Sequence, residues 1–205
     1  MGKGEGVQRL GREILQALLL GAVIFLLTRH VVQTFRVEQR SMEPTLHEGQ
    51  YLIVYKLAYA ELDLPIPILA PTSAHAAETT HVVASLGGPR RGDIVVFVNP
   101  TNPGQHLIKR VVGLPGETVA VVNGEVLING VALDEPYLSV STGYSLAPQR
   151  IPPDHFFVLG DNRNNSFDSH HFGPIARELL VGKAYALPLI WRSPVVPRFT
   201  DFLRI

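Results

Sequence analysis

Residues 118–128 read Thr118-Val119-Ala120-Val121-Val122-Asn123-Gly124-Glu125-Val126-Leu127-Ile128. Two short runs of β-branched and aliphatic residues flank Asn123-Gly124, and both central residues tolerate the positive φ of a type I′ turn. The segment therefore reads as a β-hairpin, with strands at 118–122 and 125–128. Outward from it, similar apolar runs occur at residues 51–55, 93–98, 107–112, 156–159 and 183–189, separated by Gly, Pro and Asn. No helical period intervenes between them, which argues against crossover helices and for a mainly β, antiparallel domain over residues 34–205.

One stretch breaks this rhythm. Residues 64–88 carry prolines, small residues and little charge, and are too long for a plain connection, so a surface insertion is expected there. Its Leu64-Pro65-Ile66-Pro67-Ile68-Leu69 start is apolar enough to touch a membrane or a partner, and a loop packed on its own domain is the simpler reading.

Upstream, the pattern changes. Residues 14–28 read ILQALLLGAVIFLLT, with only Gln16 and Thr28 polar, and they follow Lys3, Arg9 and Arg12. As a helix these 15 residues cover roughly 22 Å, against a hydrocarbon core of about 30 Å. If Arg12, Glu13, Arg29 and His30 extend toward the interfaces, residues 10–32 give about 34 Å. The expectation is a single transmembrane helix at 13–33 after a short segment 1–12. A cleavable signal would need a small-x-small site downstream, and residues 28–39 (TRHVVQTFRVEQ) offer none; a buried core helix is the other alternative. Orientation is a tie on charge, with Lys3, Arg9 and Arg12 before the run and Arg29, Arg36 and Arg40 after it.

Composition narrows the chemistry. The 205 residues carry 18 Lys+Arg against 18 Asp+Glu, so there is no clustered positive charge of the kind nucleic-acid binding needs. There is no cysteine, which removes disulfides, thiolate zinc sites and thiol nucleophiles. Covalent catalysis would fall to Ser, Thr, Lys or a carboxylate.

Three places hold candidate chemistry. Ser41 stands in Arg40-Ser41-Met42-Glu43-Pro44-Thr45-Leu46, where Pro44 keeps Glu43 extended and places the serine on a turn. Such a serine is more often a turn former or cap than a nucleophile. In Leu107-Ile108-Lys109-Arg110-Val111-Val112, alternation puts Lys109 with Leu107 and Val111, and Arg110 with Ile108 and Val112. Either one cation is buried or both blunt an edge strand. A buried Lys109 would lose proton affinity and become a usable general base, whereas Arg110 would stay charged and need a carboxylate. Lastly, residues 160–173 (GDNRNNSFDSHHFG) hold two acids, two serines and two histidines. Adjacent histidines point apart, so His155, His170 and His171 lack paired metal-ligand spacing. A Ser-His-Asp triad with His106 or His170 as base competes, although no Gly-x-Ser-x-Gly elbow surrounds Ser41.

With these segments in hand, the chain resembles bacterial type I signal peptidase, a family of membrane-anchored serine proteases that remove signal peptides from exported preproteins. Ser41-Met42-Glu43-Pro44-Thr45-Leu46 is similar to its nucleophile box, Arg91-Gly92-Asp93-Ile94-Val95 to the strand box that follows, Lys109-Arg110-Val111-Val112-Gly113-Leu114-Pro115-Gly116 to its general-base box, and residues 160–169 to its last box. The resemblance implies antiparallel β-sheets with few helices. It implies Ser41 as nucleophile and oxyanion donor through its backbone N–H, Lys109 as general base, and Ser166 as the hydroxyl that aims the lysine. It also implies a scaffold pair of Arg110 with Asp161, and a shallow pocket, with Met42 on its wall, for the small residues of an Ala-x-Ala site. The expected partners are preprotein signal peptides, the lipid bilayer and the secretion translocon, with no cofactor and no metal. Residues 1–12 would be cytoplasmic and residues 34–205 extracytoplasmic.

Three positions depart from the family pattern. Gln39 replaces a hydroxyl that completes the oxyanion hole in some members, His170 replaces the usual arginine after Asp168-Ser169, and His171 replaces an aromatic. The ion pair expected at Asp168 then forms only with a protonated His170. Two other readings compete. A self-cleaving Ser-Lys repressor would carry a DNA-binding helix-turn-helix, which is absent from the sequence, and a silent β domain would be expected to lose Ser41, Lys109 or Ser166.

Overall fold

The computed structural model of the chain describes residues 3–59, 61–67, 79–85, 87–186 and 203–204. Helix α1 (Lys3–Val31) runs directly into β1 (Val32–Arg36) and, after a turn, β2 (Tyr51–Tyr55). There follow β3 (Glu61–Pro67), β4 (Thr79–Ser85), β5 (Ile94–Val98), β6 (His106–Gly113), β7 (Thr118–Val122), β8 (Glu125–Ile128) and β9 (Val131–Ala132). Then come β10 (Leu146–Arg150), β11 (His155–Leu159), the short α2 (Ser169–Phe172), β12 (Ile175–Ala176), β13 (Leu180–Ala186) and β14 (Leu203–Arg204).

These strands form an eight-stranded sheet in the order β12-β11-β6-β5-β13-β2-β1-β14, a four-stranded sheet β10-β7-β8-β9 and a separate β3-β4 pair. Among the described pairs only β1 with β14 is parallel. The hairpin read from the sequence forms with Val122 opposite Glu125, and Asn123 and Gly124 take φ of 52° and 84°, the sign that a two-residue primed turn requires.

Period-2 alternation distributes the apolar side chains among three clusters. On β6, Leu107 and Val111 join Val95, Phe97, Phe156 and Val158, while Ile108 joins Phe35, Leu52, Val54 and Val96. Val112 joins Val119, Val121, Phe157 and Leu159 beneath the four-stranded sheet. Both faces of β6 are therefore covered, and β5 and β11 flank it, which excludes the edge-strand reading of Lys109 and Arg110.

Several expectations need correction. The helix expected at 13–33 is α1, which starts at Lys3 and ends at Val31, because Val32 and Gln33 already pair with Tyr55 and Val54 of β2. Among the described residues no helix is long and apolar enough to cross a membrane. Arg9, Arg12 and Glu13 lie in the first half of α1, and the apolar run after them is short. Within the surface insertion expected at 64–88, the described residues form most of the β3-β4 hairpin, which starts at Glu61, and residues 68–78 and 86 lie outside the described residues. β10 was not read as a strand, since Leu146-Ala147-Pro148-Gln149-Arg150 has neither alternation nor β-branched residues; it forms by pairing with β7 across an irregularity between Leu146 and Gln149. The strand expected at 183–189 is β13, three residues earlier in its start, and residues 187–189 lie outside the described residues.

Gly113 ends β6 where three side chains converge. A Cβ there would fall 2.4 Å from Ile151 Cδ1, 2.7 Å from Val119 Cγ2 and 3.0 Å from Phe157 Cβ. Gly113→Ala is expected to cost about 1–3 kcal/mol through overpacking, read as a lower urea midpoint with an unchanged slope.

Candidate active site

Ser41 sits in the turn between β1 and β2, and this turn is held from both sides. Glu43 N–H donates to Arg40 O at 3.1 Å and Leu46 N–H to Met42 O at 2.9 Å, while Met42 and Leu46 are buried in the cluster with Phe35 and Leu52. Across the turn, Asn162 N–H donates to Ser41 O at 3.0 Å, and its side-chain amide donates to Arg40 O at 3.1 Å. Gly160 makes the approach possible. A Cβ there would lie 2.2 Å from Ser166 Oγ and 2.5 Å from Ser41 O, so a side chain would push the serine turn away.

β11 pairs with β6 only from Arg110 to Gly113, whereas β5 pairs with it from His106 to Arg110. The start of β6 is thus left open on one side, and Ser41 stands there. Ser41 Oγ and Lys109 Nζ are 2.7 Å apart, and Nζ donates to Ile108 O at 2.8 Å. Lys109 is 1% exposed and Ser41 5%. Burial penalises the ammonium and lowers the lysine pKa to about 8, against the opposing pull of Asp168 and Asp161. Val37, Gln39, Leu107 and Ile108 complete a shallow depression around the two groups. Ser41 hydrogen-bonds neither His106, which lies against Phe35, nor His170, which binds Asp168.

Arg110 is also buried and solves its charge differently. Its Nε and Nη2 donate to the two oxygens of Asp161 at 2.8 and 2.6 Å, Nη1 donates to Gly92 O at 2.9 Å, and the guanidinium lies over the Tyr137 ring at 3.9 Å. The fork therefore meets a carboxylate with two matched bonds.

Asp168 is fully buried and caps α2. Burial alone would raise its carboxyl; hydrogen bonds from His170 and from Gly160 N–H outweigh that and hold it below the ordinary carboxylate range. His170 Nδ1 lies 2.6 Å from Asp168 Oδ1, and its ring stacks on Tyr144 at 4.1 Å.

Ser166 is buried beside the Ser41 turn, close to Gly160 and Asp168; its hydroxyl makes no hydrogen bond of ordinary geometry, and Lys109 Nζ is bonded to Ser41 and Ile108. Met42, expected on a pocket wall, is fully buried in the core and does not line the depression around Ser41. Sequence reasoning missed the buried pair of Arg163 with Glu135, which also ties Thr142 to the loop after β11. The partners are 28 positions apart, and no local pattern marks them.

The family model for signal peptidase, peptidase S26, matches residues 9–189. A probable signal peptidase I-2 of Synechocystis is 36% identical over 94% of this chain and 77% of its own length. A signal peptidase I of Leptolyngbya laminosa is 38% identical, covering 88% and 76% respectively. A solved signal peptidase I of Enterococcus faecalis is 38% identical over 46% of this chain and 95% of its own, with a TM-score of 0.41.

Because Asp168 is held below the ordinary carboxylate value of about 3.9, the stability it contributes is present above that pH and is lost as pH falls through the folded-state value. Asp168→Asn is expected to cost about 1–3 kcal/mol at neutral pH and to flatten the acid limb of stability against pH, measured by urea denaturation across pH 3 to 7.

Proposed function

The chain belongs to the signal peptidase family, peptidase S26, and on that premise we propose that it is a membrane-bound endopeptidase that removes N-terminal signal peptides from exported preproteins, cutting after small-x-small sequences such as Ala-x-Ala. The observation that carries this reading is the 2.7 Å separation of Ser41 Oγ and Lys109 Nζ in a site that excludes water from the amine. A lysine can act as base only when neutral, and burial brings it toward that state.

In the proposed reaction Lys109 accepts the Ser41 hydroxyl proton as Oγ attacks the carbonyl carbon, then gives it to the amine that departs as the peptide bond breaks; it next draws a proton from the water that attacks the acyl-enzyme and passes it to Ser41 Oγ as the acyl bond breaks. Ile108 O orients the amine. The N–H of Ser41, which has no acceptor among the described residues, is assigned to the oxyanion. Ser166 is assigned to aiming Lys109 and Arg110 with Asp161 to the scaffold, by family resemblance and by their burial beside the site. The shallow depression suits small side chains and rejects long ones by clash, and the open start of β6 offers backbone groups to an extended substrate.

The reading also takes α1 beyond residue 12, whose described part is not by itself long and apolar enough to cross a membrane, as the family's anchor in the lipid bilayer, with residues 1–12 cytoplasmic, the β domain extracytoplasmic, and preproteins arriving from the translocon. Leu15, Leu18, Leu20, Val23 and Phe25 lie on all sides of α1 and are exposed; a helix apolar all round needs apolar surroundings.

Ser41→Ala and Lys109→Ala are each expected to lower cleavage of an Ala-x-Ala preprotein in detergent by at least about 10²–10⁴-fold with the thermal melt retained; full activity of Lys109→Ala would sink the dyad. The kcat/KM of the unsubstituted chain is expected to rise with pH to a midpoint near 8. Asp168→Asn is expected to move that midpoint down, since the carboxylate favours the ammonium. A midpoint near that of free lysine would remove burial from the mechanism.

A further inference from the structure

The turn that carries Ser41 separates two depressions. Val37, Gln39 and Ser41, upstream in the turn, line the one around the dyad. Downstream, Glu43, Pro44 and His47 line a second, of about 320 Å³, closed on its far side by Val140 and by Asn162 and Asn164 of the loop after β11. Glu43 is two residues from Ser41, so their Cα atoms are at most about 7 Å apart. Asn162, on the wall, is the residue that holds the carbonyls of Ser41 and Arg40. The second depression is therefore fixed to the nucleophile turn.

Its ionisable lining consists of Glu43, His47, Asp161 and Arg163. Asp161, also on the wall, is neutralised by Arg110, and Arg163 by Glu135. Among the described residues the ion-pair partner of the Glu43 carboxylate is Arg40 Nε at 3.9 Å, and that guanidinium lies nearer to Glu48, at 3.3 Å. One cation is thus shared between two carboxylates, and a partly compensated negative charge faces the depression. An extended chain advances about 3.3 Å per residue. If its small residue before the cut lies in the apolar depression upstream of Ser41, its first one or two residues after the cut pass over the downstream one.

Resting on the peptidase reading above, we propose that this downstream depression receives the first residues after the cut and that Glu43 determines specificity there, favouring lysine or arginine and disfavouring aspartate or glutamate. The carboxylate is partly exposed, so its attraction for a cation and repulsion of an anion are each worth about threefold to fivefold in rate, and both weaken with salt.

The test uses the full chain in detergent and three peptides identical through an Ala-x-Ala site, with Lys, Gln or Asp as the first residue after the cut. The expected order of kcat/KM is Lys over Gln over Asp, with the extremes about tenfold apart and the spread narrowing in high salt. Glu43→Gln is expected to bring the extremes within about twofold, and Glu43→Arg to reverse the order. Equal cleavage of all three by the unsubstituted chain, or an order that survives Glu43→Gln, overturns the proposal. So does an effect of Glu43 variants confined to peptides whose charge lies before the cut. The salt series needs no variant, so a folding defect in either substitution leaves the proposal testable. Failure of the unsubstituted chain to cleave any peptide would instead overturn the peptidase reading itself.

Discussion

Two adjacent cations on a strand buried on both faces impose the constraint around which this protein is arranged. Lys109 and Arg110 are 1% and 8% exposed, and desolvation acts against the charged form of each. The two respond in the only ways their chemistry allows. Arginine keeps its proton and draws in Asp161, Gly92 O and the Tyr137 ring. Lysine, with no carboxylate in contact, is pushed toward neutrality and set against a serine hydroxyl and a carbonyl. Exchanging them would leave a permanent charge at Ser41 and a weaker, non-forked partner at Asp161.

One loop satisfies both requirements. After β11, Gly160 allows close approach, Asp161 pairs with Arg110, Asn162 grips the Ser41 turn, Arg163 anchors to Glu135, and Asp168 binds His170 and the Gly160 N–H. Its residues therefore cannot be read singly. Removing one partner of a buried charge pair leaves the other uncompensated, at a cost of about 3–5 kcal/mol, and the same displacement would move the serine turn. Fold stability and the proposed catalysis share these hydrogen bonds.

Local physics was legible in the sequence. The Asn123-Gly124 turn, the alternating runs around it and the position of β6 follow from backbone preferences within a few residues, and the structure forms them. Lys109 stood out because a cation there contradicts an apolar strand, residues 160–169 by their density of polar groups, and Ser41 by its turn before Pro44 together with the family resemblance. β10, the β3-β4 hairpin and the Arg163–Glu135 pair were not legible, since each depends on a partner distant in the chain. The end of α1 was misjudged for a related reason: Val32 and Gln33 suit a helix or a strand, and pairing with β2 decides.

The sequence by itself determined that cysteine chemistry is absent, that the domain is antiparallel and mainly β, and that one of two neighbouring cations would have to be reconciled with an apolar strand. Only the tertiary structure decided that both are buried, that β11 stops at Arg110 and leaves room for the Ser41 turn, and that Lys109 rather than a histidine meets Ser41. The physical reason is that desolvation belongs to a place in space. It is set by strands far apart in the chain that happen to cover the same side chain, and no window of sequence around Lys109 contains them.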